Sequence, residues 1–96
     1  MSDSISHRTC LLYKTDALQA TQRPCSNGLP DFQALVGGNI EPVRLFQKDG
    51  SVHPDLVILV NEEGLLDDLP INLAGSVLAR QDLRGDVVVV HKSYLN

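Results

Sequence analysis

Two runs of aliphatic residues constrain the fold of this chain more than any other feature. Residues 56–60, LVILV, and residues 87–90, VVVV, are apolar at every position and have the length of a β-strand. A strand with one face in water alternates apolar and polar residues, whereas an uninterrupted apolar run indicates that both faces are covered. We therefore expect both segments to be buried strands, with the first in the centre of the core.

Two further segments are predicted as strands. Residues 9–15, TCLLYKT, combine β-branched and aromatic residues with weak alternation. Residues 40–52, IEPVRLFQKDGSV, predict a strand that runs into a hairpin, because Asp49 and Gly50 form a two-residue turn signal. Pro42 removes one donor from the ladder, so we expect this strand at an edge of the sheet.

Two short helices are predicted as well. The first covers LPDFQALVGG, with Pro30 near its first position and Gly37 as its C-terminal stop. The second covers INLAGSVLAR, with Asn72 as the N-cap. Residues predicted to face the core are Phe32, Leu35 and Val36 in the first helix, and Leu73, Val77 and Leu78 in the second.

Together these elements predict a single small α+β domain over residues 9–96. Its sheet is expected to be mostly antiparallel with about four strands, and both helices are expected to pack on one face. Residues 16–29 are predicted to be mostly loop. Residues 1–8, MSDSISHR, are polar and unpatterned, which predicts a disordered tail.

Composition narrows the classes of partner. A net charge of -4, without a cluster of Lys and Arg, argues against binding to nucleic-acid phosphates. The longest apolar run is far shorter than the roughly 20 residues that cross a bilayer. Cys10 and Cys25 occur without a secretory leader and lack the close spacing of zinc ligands, so we expect reduced thiols and a cytoplasmic protein.

The polar segment NEEG, residues 61–64, admits two interpretations. It follows an apolar strand, and strand ends commonly carry ligand sites, so Asn61, Glu62 and Glu63 are candidate contacts. Alternatively, it is a solvated turn in which Gly64 supplies a left-handed conformation. Asn72 is either a helix cap or a group presented to a ligand.

The other polar residues complete the candidate set without suggesting a reaction. Glu41 either faces water or pairs with a cation such as Arg44. None of the three histidines lies in a recognisable catalytic motif, and neither cysteine has a local signature. The sequence predicts no catalytic residues, no metal ligands and no cofactor.

Three blocks, LVGGNIEPV, VNEEGLLDDLPINLAGSVL and GDVVVV, resemble a small domain of unknown function, family number 3846, found in bacteria, phages and other mobile elements. The resemblance runs from about Phe32 to Val90. The chain departs from the family pattern at Gly75, where Ala is frequent, and at Arg84, where Ile or Val is favoured. Gly75 costs a helix about 1 kcal/mol relative to Ala unless a neighbour packs closely against it. The resemblance implies a mobile-element setting and no particular activity.

We therefore expect a non-catalytic interaction module, an accessory protein of a phage or mobile element that binds a host protein. Its acidic surface suits a basic partner face. Association as a homodimer through an uncovered sheet edge is a second mode. The alternative is a small-molecule or metal-binding domain that uses Asn61, Glu62, Glu63 and Asn72, with Glu41 across the sheet.

Overall fold

The computed structural model describes residues 9–64 and 66–95, and the tail predicted over residues 1–8 lies outside them. Among the described residues, five strands form one antiparallel sheet in the order β2-β1-β5-β4-β3. The predicted α+β class with an antiparallel sheet is confirmed. The strands are β1 (Thr9–Tyr13), β2 (Thr21–Pro24), β3 (Ile40–Phe46), β4 (Val52–Asn61) and β5 (Val87–His91).

The strand that the sequence did not predict is β2, which falls in the segment that was predicted to be mostly loop. Its sequence TQRP contains none of the large aliphatic or aromatic residues that fill a core, and all four residues are exposed. β2 pairs along one side with β1, with Cys10 opposite Arg23. A strand that is held at a sheet edge by backbone hydrogen bonds needs no alternation of apolar and polar residues. The sequence therefore contains no signal that predicts β2.

The two long apolar runs occupy the interior of the sheet, as predicted. β5 is the central strand, and β4 lies between β5 and the edge strand β3. Pro42 is therefore on an edge strand, as expected from its missing donor. The hairpin between β3 and β4 turns through three residues, 48–50, rather than two, because the Gln47 N–H donates to the Ser51 carbonyl at 2.8 Å.

Helix α1 (Leu29–Val36) covers one face of the sheet. Phe32 and Val36 of this helix share a core cluster with Leu59, Val88 and Val90. As predicted, the helix ends at Gly37, whose N–H donates to the Gln33 carbonyl at 2.9 Å. This half of the core also contains both cysteines.

Helix α2 (Leu73–Ala79) covers the opposite face. Its Ala79 packs with Ile58, Val60, Val87 and Val89, which alternate along β4 and β5 with the residues under α1. The prediction that both helices lie on one face was therefore wrong. Because β4 and β5 are apolar on both faces, each face needs its own cover.

The phase of α2 also differs from the prediction. Leu73 and Val77 were expected to face the core, but their side chains are 58% and 76% exposed. The buried residues are instead Gly75 and Ala79, with Leu78 partly buried. Small residues face the sheet because the helix lies close to it, which leaves larger apolar side chains on the outside.

The Cα radius of gyration is 12.2 Å, the size of a compact globule of this length. Within residues 9–64 and 66–95, no helix is both long enough and apolar enough to cross a membrane. A short 3-10 turn, Lys92–Leu95, follows β5. Tyr94 in this turn packs edge-on against Phe32 of α1, with ring centroids 5.8 Å apart.

Candidate functional site

Asn61 connects the end of β4 to the end of α1. Its side-chain Oδ1 accepts from the Glu63 N–H at 2.8 Å, and its Nδ2 donates to the Val36 carbonyl at 3.4 Å. The Asn61 carbonyl also accepts from the Gly64 N–H at 3.0 Å. The side chain is 8% exposed. These bonds close the turn over residues 61–64 and hold it against the first helix.

Gly64 serves this turn in a different way from the one predicted. It is not among the glycines with positive φ, so the expectation that it supplies a left-handed conformation was wrong. A Cβ at this position would instead lie 3.1 Å from the Arg84 carbonyl oxygen and 3.2 Å from the Arg84 Cβ. Glycine is therefore favoured at position 64 because two backbone segments approach closely there.

Asn72 caps α2, as predicted. Its Oδ1 accepts from the Gly75 N–H at 2.8 Å, while its Nδ2 donates to the Tyr13 carbonyl at 2.8 Å and to the Gly85 carbonyl at 2.9 Å. The residue is fully buried. Both amide hydrogens and the amide oxygen are engaged, so this side chain joins the start of α2 to β1 and to the segment before β5.

Three of the five candidate residues line one cleft of about 200 Å³, at the edge of the sheet face that α2 covers. These are Glu41 from β3, Asn61 at the end of β4, and Glu62 from the turn that follows. Glu63 is exposed outside this cleft, and Asn72 lies in the interior. We call this concavity the acidic cleft.

Three further polar residues of the acidic cleft, Gln81, Asp82 and Arg84, come from the segment between α2 and β5. The sequence did not associate them with NEEG, because the segments are about twenty residues apart. The one signal in the sequence was Arg84, which replaces an aliphatic residue in the family pattern.

Arg84 is the positive group of the acidic cleft. Its Nη1 donates to the Leu69 carbonyl at 3.2 Å, and its buried Nε has no hydrogen-bond partner among the described residues. Glu41, Glu62 and Asp82 contribute exposed carboxylates. Carboxylates near a guanidinium can hold an ammonium group and a small anionic group together. Within the described ranges, no three His, Cys, Asp or Glu side chains are grouped so that they could hold a metal ion.

A second surface feature lies on the outside of α2. Leu18, from the β1–β2 connection, is 77% exposed and lies with Leu73 and Val77 along one shallow groove of about 290 Å³. The floor of the groove also includes Tyr13, Ala74 and Leu78. We call this feature the apolar groove. It was missed in the sequence because Leu73 and Val77 were assigned to the core.

Comparison with known proteins identifies the family of this chain. The family model for the domain of unknown function DUF3846 matches residues 9–94. Neither the curated proteins nor the solved structures include a match to this chain. Because the matched region spans nearly all of the sequence, the chain belongs to the DUF3846 family.

Proposed function

We propose that this protein is a non-catalytic acidic interaction module that binds a partner protein through the apolar groove. We propose further that it is an accessory protein of a phage or mobile element and that its partner is a host protein. The observation that carries this proposal is the exposure of Leu18, Leu73 and Val77 along a single groove.

The exposed apolar side chains of the groove are contiguous on the surface. Isolated exposed leucines are ordinary on protein surfaces, whereas large apolar side chains that line one concavity indicate an interaction site. Leu73 and Val77 are four residues apart on α2, so they form one stripe on its outer face. Covering this stripe removes apolar surface from water, which contributes about 25 cal/mol for each Å² buried.

Charge favours a different protein over a second copy of this chain. Each copy carries a net charge of -4, so two copies repel each other, whereas a partner with a basic contact face is attracted. The basic side chain at the end of α2, Arg80, donates to the Gln47 carbonyl at 3.4 Å and lies 5.7 Å from the Phe46 ring centroid. Its charge is thus directed toward the β3–β4 hairpin, and we expect the partner to present an apolar side chain flanked by Lys or Arg.

The test compares tagged wild-type protein with Val77→Asn and Leu66→Asn in co-purification from host cells, together with sedimentation of each purified protein. Val77→Asn removes apolar surface without changing charge. Because Asn has nearly the helix propensity of Val, the substitution should preserve the helix. Leu66 is 83% exposed and lies outside the groove, which makes it a matched control.

We expect a monomer in sedimentation, and a partner that wild type and Leu66→Asn retain and Val77→Asn loses. A partner that Val77→Asn retains would contradict the proposal. A wild-type dimer that Val77→Asn dissociates would assign the groove to a second copy and refute a host partner there.

A second candidate function is binding of a small ligand in the acidic cleft, supported by the convergence of the Glu41 and Glu62 carboxylates with Arg84. The class of ligand that fits is a small cation or a zwitterion. Thermal unfolding with divalent cations, amino acids and polyamines tests it. A ligand at 100 times its Kd adds about 2.7 kcal/mol to the free energy of unfolding.

The turn itself provides the matched pair of variants for that test. Glu62 lines the acidic cleft, and its neighbour Glu63 is exposed outside it. Stabilisation by a ligand that Glu62→Ala abolishes and Glu63→Ala preserves would support the site. Stabilisation that both variants preserve would place the ligand elsewhere.

A further inference from the structure

The two cysteines form a feature that the proposed interaction does not use. Cys10 lies in β1, and Cys25 directly follows β2. Both are free thiols, fully buried, and members of the same core cluster under α1. The sequence gives no reason to bring them together, since they are fifteen residues apart.

The pairing of β1 with β2 explains why the two cysteines are neighbours. Cys10 is opposite Arg23, and Cys25 is two residues further along the chain, so both side chains point to the same side of the sheet. The Cys25 thiol lies near enough to Cys10 to contribute to raising the pKa of the Cys10 thiol. The Cys10 thiol also contacts the Arg23 carbonyl at 3.7 Å.

We propose that Cys10 and Cys25 are a reversible disulfide site that closes by exchange with a small-molecule disulfide such as oxidised glutathione. Two observations carry this inference: the strand register places Cys25 diagonally from Cys10 on the same face of the sheet, and both thiols are buried in one core cluster. The product is an intramolecular bridge between β1 and the residue that follows β2.

The chemistry proceeds in two exchanges. The thiolate of one cysteine attacks one sulfur of oxidised glutathione, forming a mixed disulfide and releasing a glutathione thiolate. The second cysteine, once deprotonated, attacks the protein sulfur of that mixed disulfide and releases the second glutathione thiolate. The two protons lost by the protein thiols are taken up by the two glutathione thiolates. The protein loses two electrons, and the oxidant gains them.

Access to these thiols requires local opening. Burial, followed by the neighbouring Cys25 thiol, raises the pKa of Cys10 from 9.0 to about 12, so little thiolate is present in the closed structure. β2 is a four-residue edge strand whose side chains are all exposed. Few buried contacts hold it, so its separation from β1 is the low-energy route by which an oxidant reaches the thiols.

The experiment incubates the reduced full-length protein with excess oxidised glutathione, in buffer and in urea well below the unfolding midpoint, and follows intact mass. We expect the monomer to lose the mass of two hydrogen atoms, slowly in buffer and faster in urea. Dithiothreitol should reverse the change. Because the bridge closes a loop of about fifteen residues, the oxidised form should melt roughly 10 °C higher.

Cys10→Ala and Cys25→Ala are the matched controls. Each retains one thiol, so each can gain a glutathione adduct and cannot lose two hydrogens. Wild type that stays reduced in mild urea, that accumulates a stable glutathione adduct, or that forms disulfide-linked dimers would overturn the proposal. The mass of the wild-type protein alone decides between these outcomes, even if a variant fails to fold.

Discussion

Gly75 of α2 lies directly against Val87 of β5. A Cβ on Gly75 would be 2.8 Å from Val87 Cγ2, closer than side chains approach one another without rearrangement. Glycine is a poor helix former, and this contact explains why α2 contains one. We predict that Gly75→Ala destabilises the protein by about 1–3 kcal/mol, although Ala is the better helix former. Urea unfolding of the variant measures this change.

The companion variant Val87→Ala distinguishes two effects of Gly75→Ala on stability, the lost packing against Val87 and the gained helix propensity. Val87 is fully buried, so its truncation costs free energy by itself. In that background the Val87 clash is removed and the 3.2 Å approach to Asn72 Oδ1 remains, so Gly75→Ala should cost less than it does with Val87 present. Equal destabilisation by Gly75→Ala in both backgrounds would show that the Val87 contact is not the reason for glycine.

Asn72 should be among the least replaceable polar residues. Asn72→Ala removes the cap of α2 and leaves the Tyr13 and Gly85 carbonyls without this donor, so we predict a loss of about 3 kcal/mol in the free energy of unfolding. Asn72→Ser retains a capping oxygen and should lose less. A Ser variant as unstable as the Ala variant would mean that the cap contributes little.

In the NEEG turn, we predict that the Asn61 side chain contributes to the stability of the protein and that the Glu62 and Glu63 side chains contribute little. Asn61→Ala removes the bonds to Val36 and Glu63, and we expect it to cost about 1–3 kcal/mol. Glu62→Ala and Glu63→Ala alter exposed side chains and should change stability by less than about 0.5 kcal/mol. Thermal unfolding of the three variants without ligand checks this order, and a larger effect of either glutamate would contradict it.

The buried thiol of Cys10 makes stability depend on pH in the alkaline range. Its pKa is raised from 9.0 to about 12 on folding, chiefly by burial. Above pH 9 the unfolded chain releases this proton and the folded chain keeps it, so rising pH favours unfolding. We expect a loss of up to about 1.4 kcal/mol for each pH unit above 9. Cys10→Ala should show a shallower decline between pH 8 and 10, and an identical decline would rule out this origin.

The sequence predicted the elements with strong local signals and failed where tertiary contacts decide. The apolar runs of β4 and β5, the cap at Asn72 and the stop at Gly37 each depend on a few neighbouring residues. β2 has no such signal, because it pairs through its backbone at an edge. Strands that are apolar on both faces need a helix on each face of the sheet. The prediction that both helices lie on one face overlooked this requirement.

The candidate site was predictable to a similar extent. The turn after an interior strand drew attention to Asn61 and Glu62, and strand pairing brings Glu41 beside them. Asp82 and Arg84 reach the same cleft from a distant segment, which no local pattern predicts. The apolar groove was hidden for another reason: Leu73 and Val77 have helical spacing, and that spacing indicates a stripe without indicating whether the stripe faces the core or water.

The central claim is that the apolar groove binds a basic partner protein, and a calorimetric titration of the purified partner tests it most directly. Wild type, Val77→Asn and Leu66→Asn would each be titrated at low and at high salt. We predict that Val77→Asn raises Kd by about tenfold or more, that Leu66→Asn leaves it unchanged, and that salt weakens binding. The same Kd for Val77→Asn as for wild type would contradict the account.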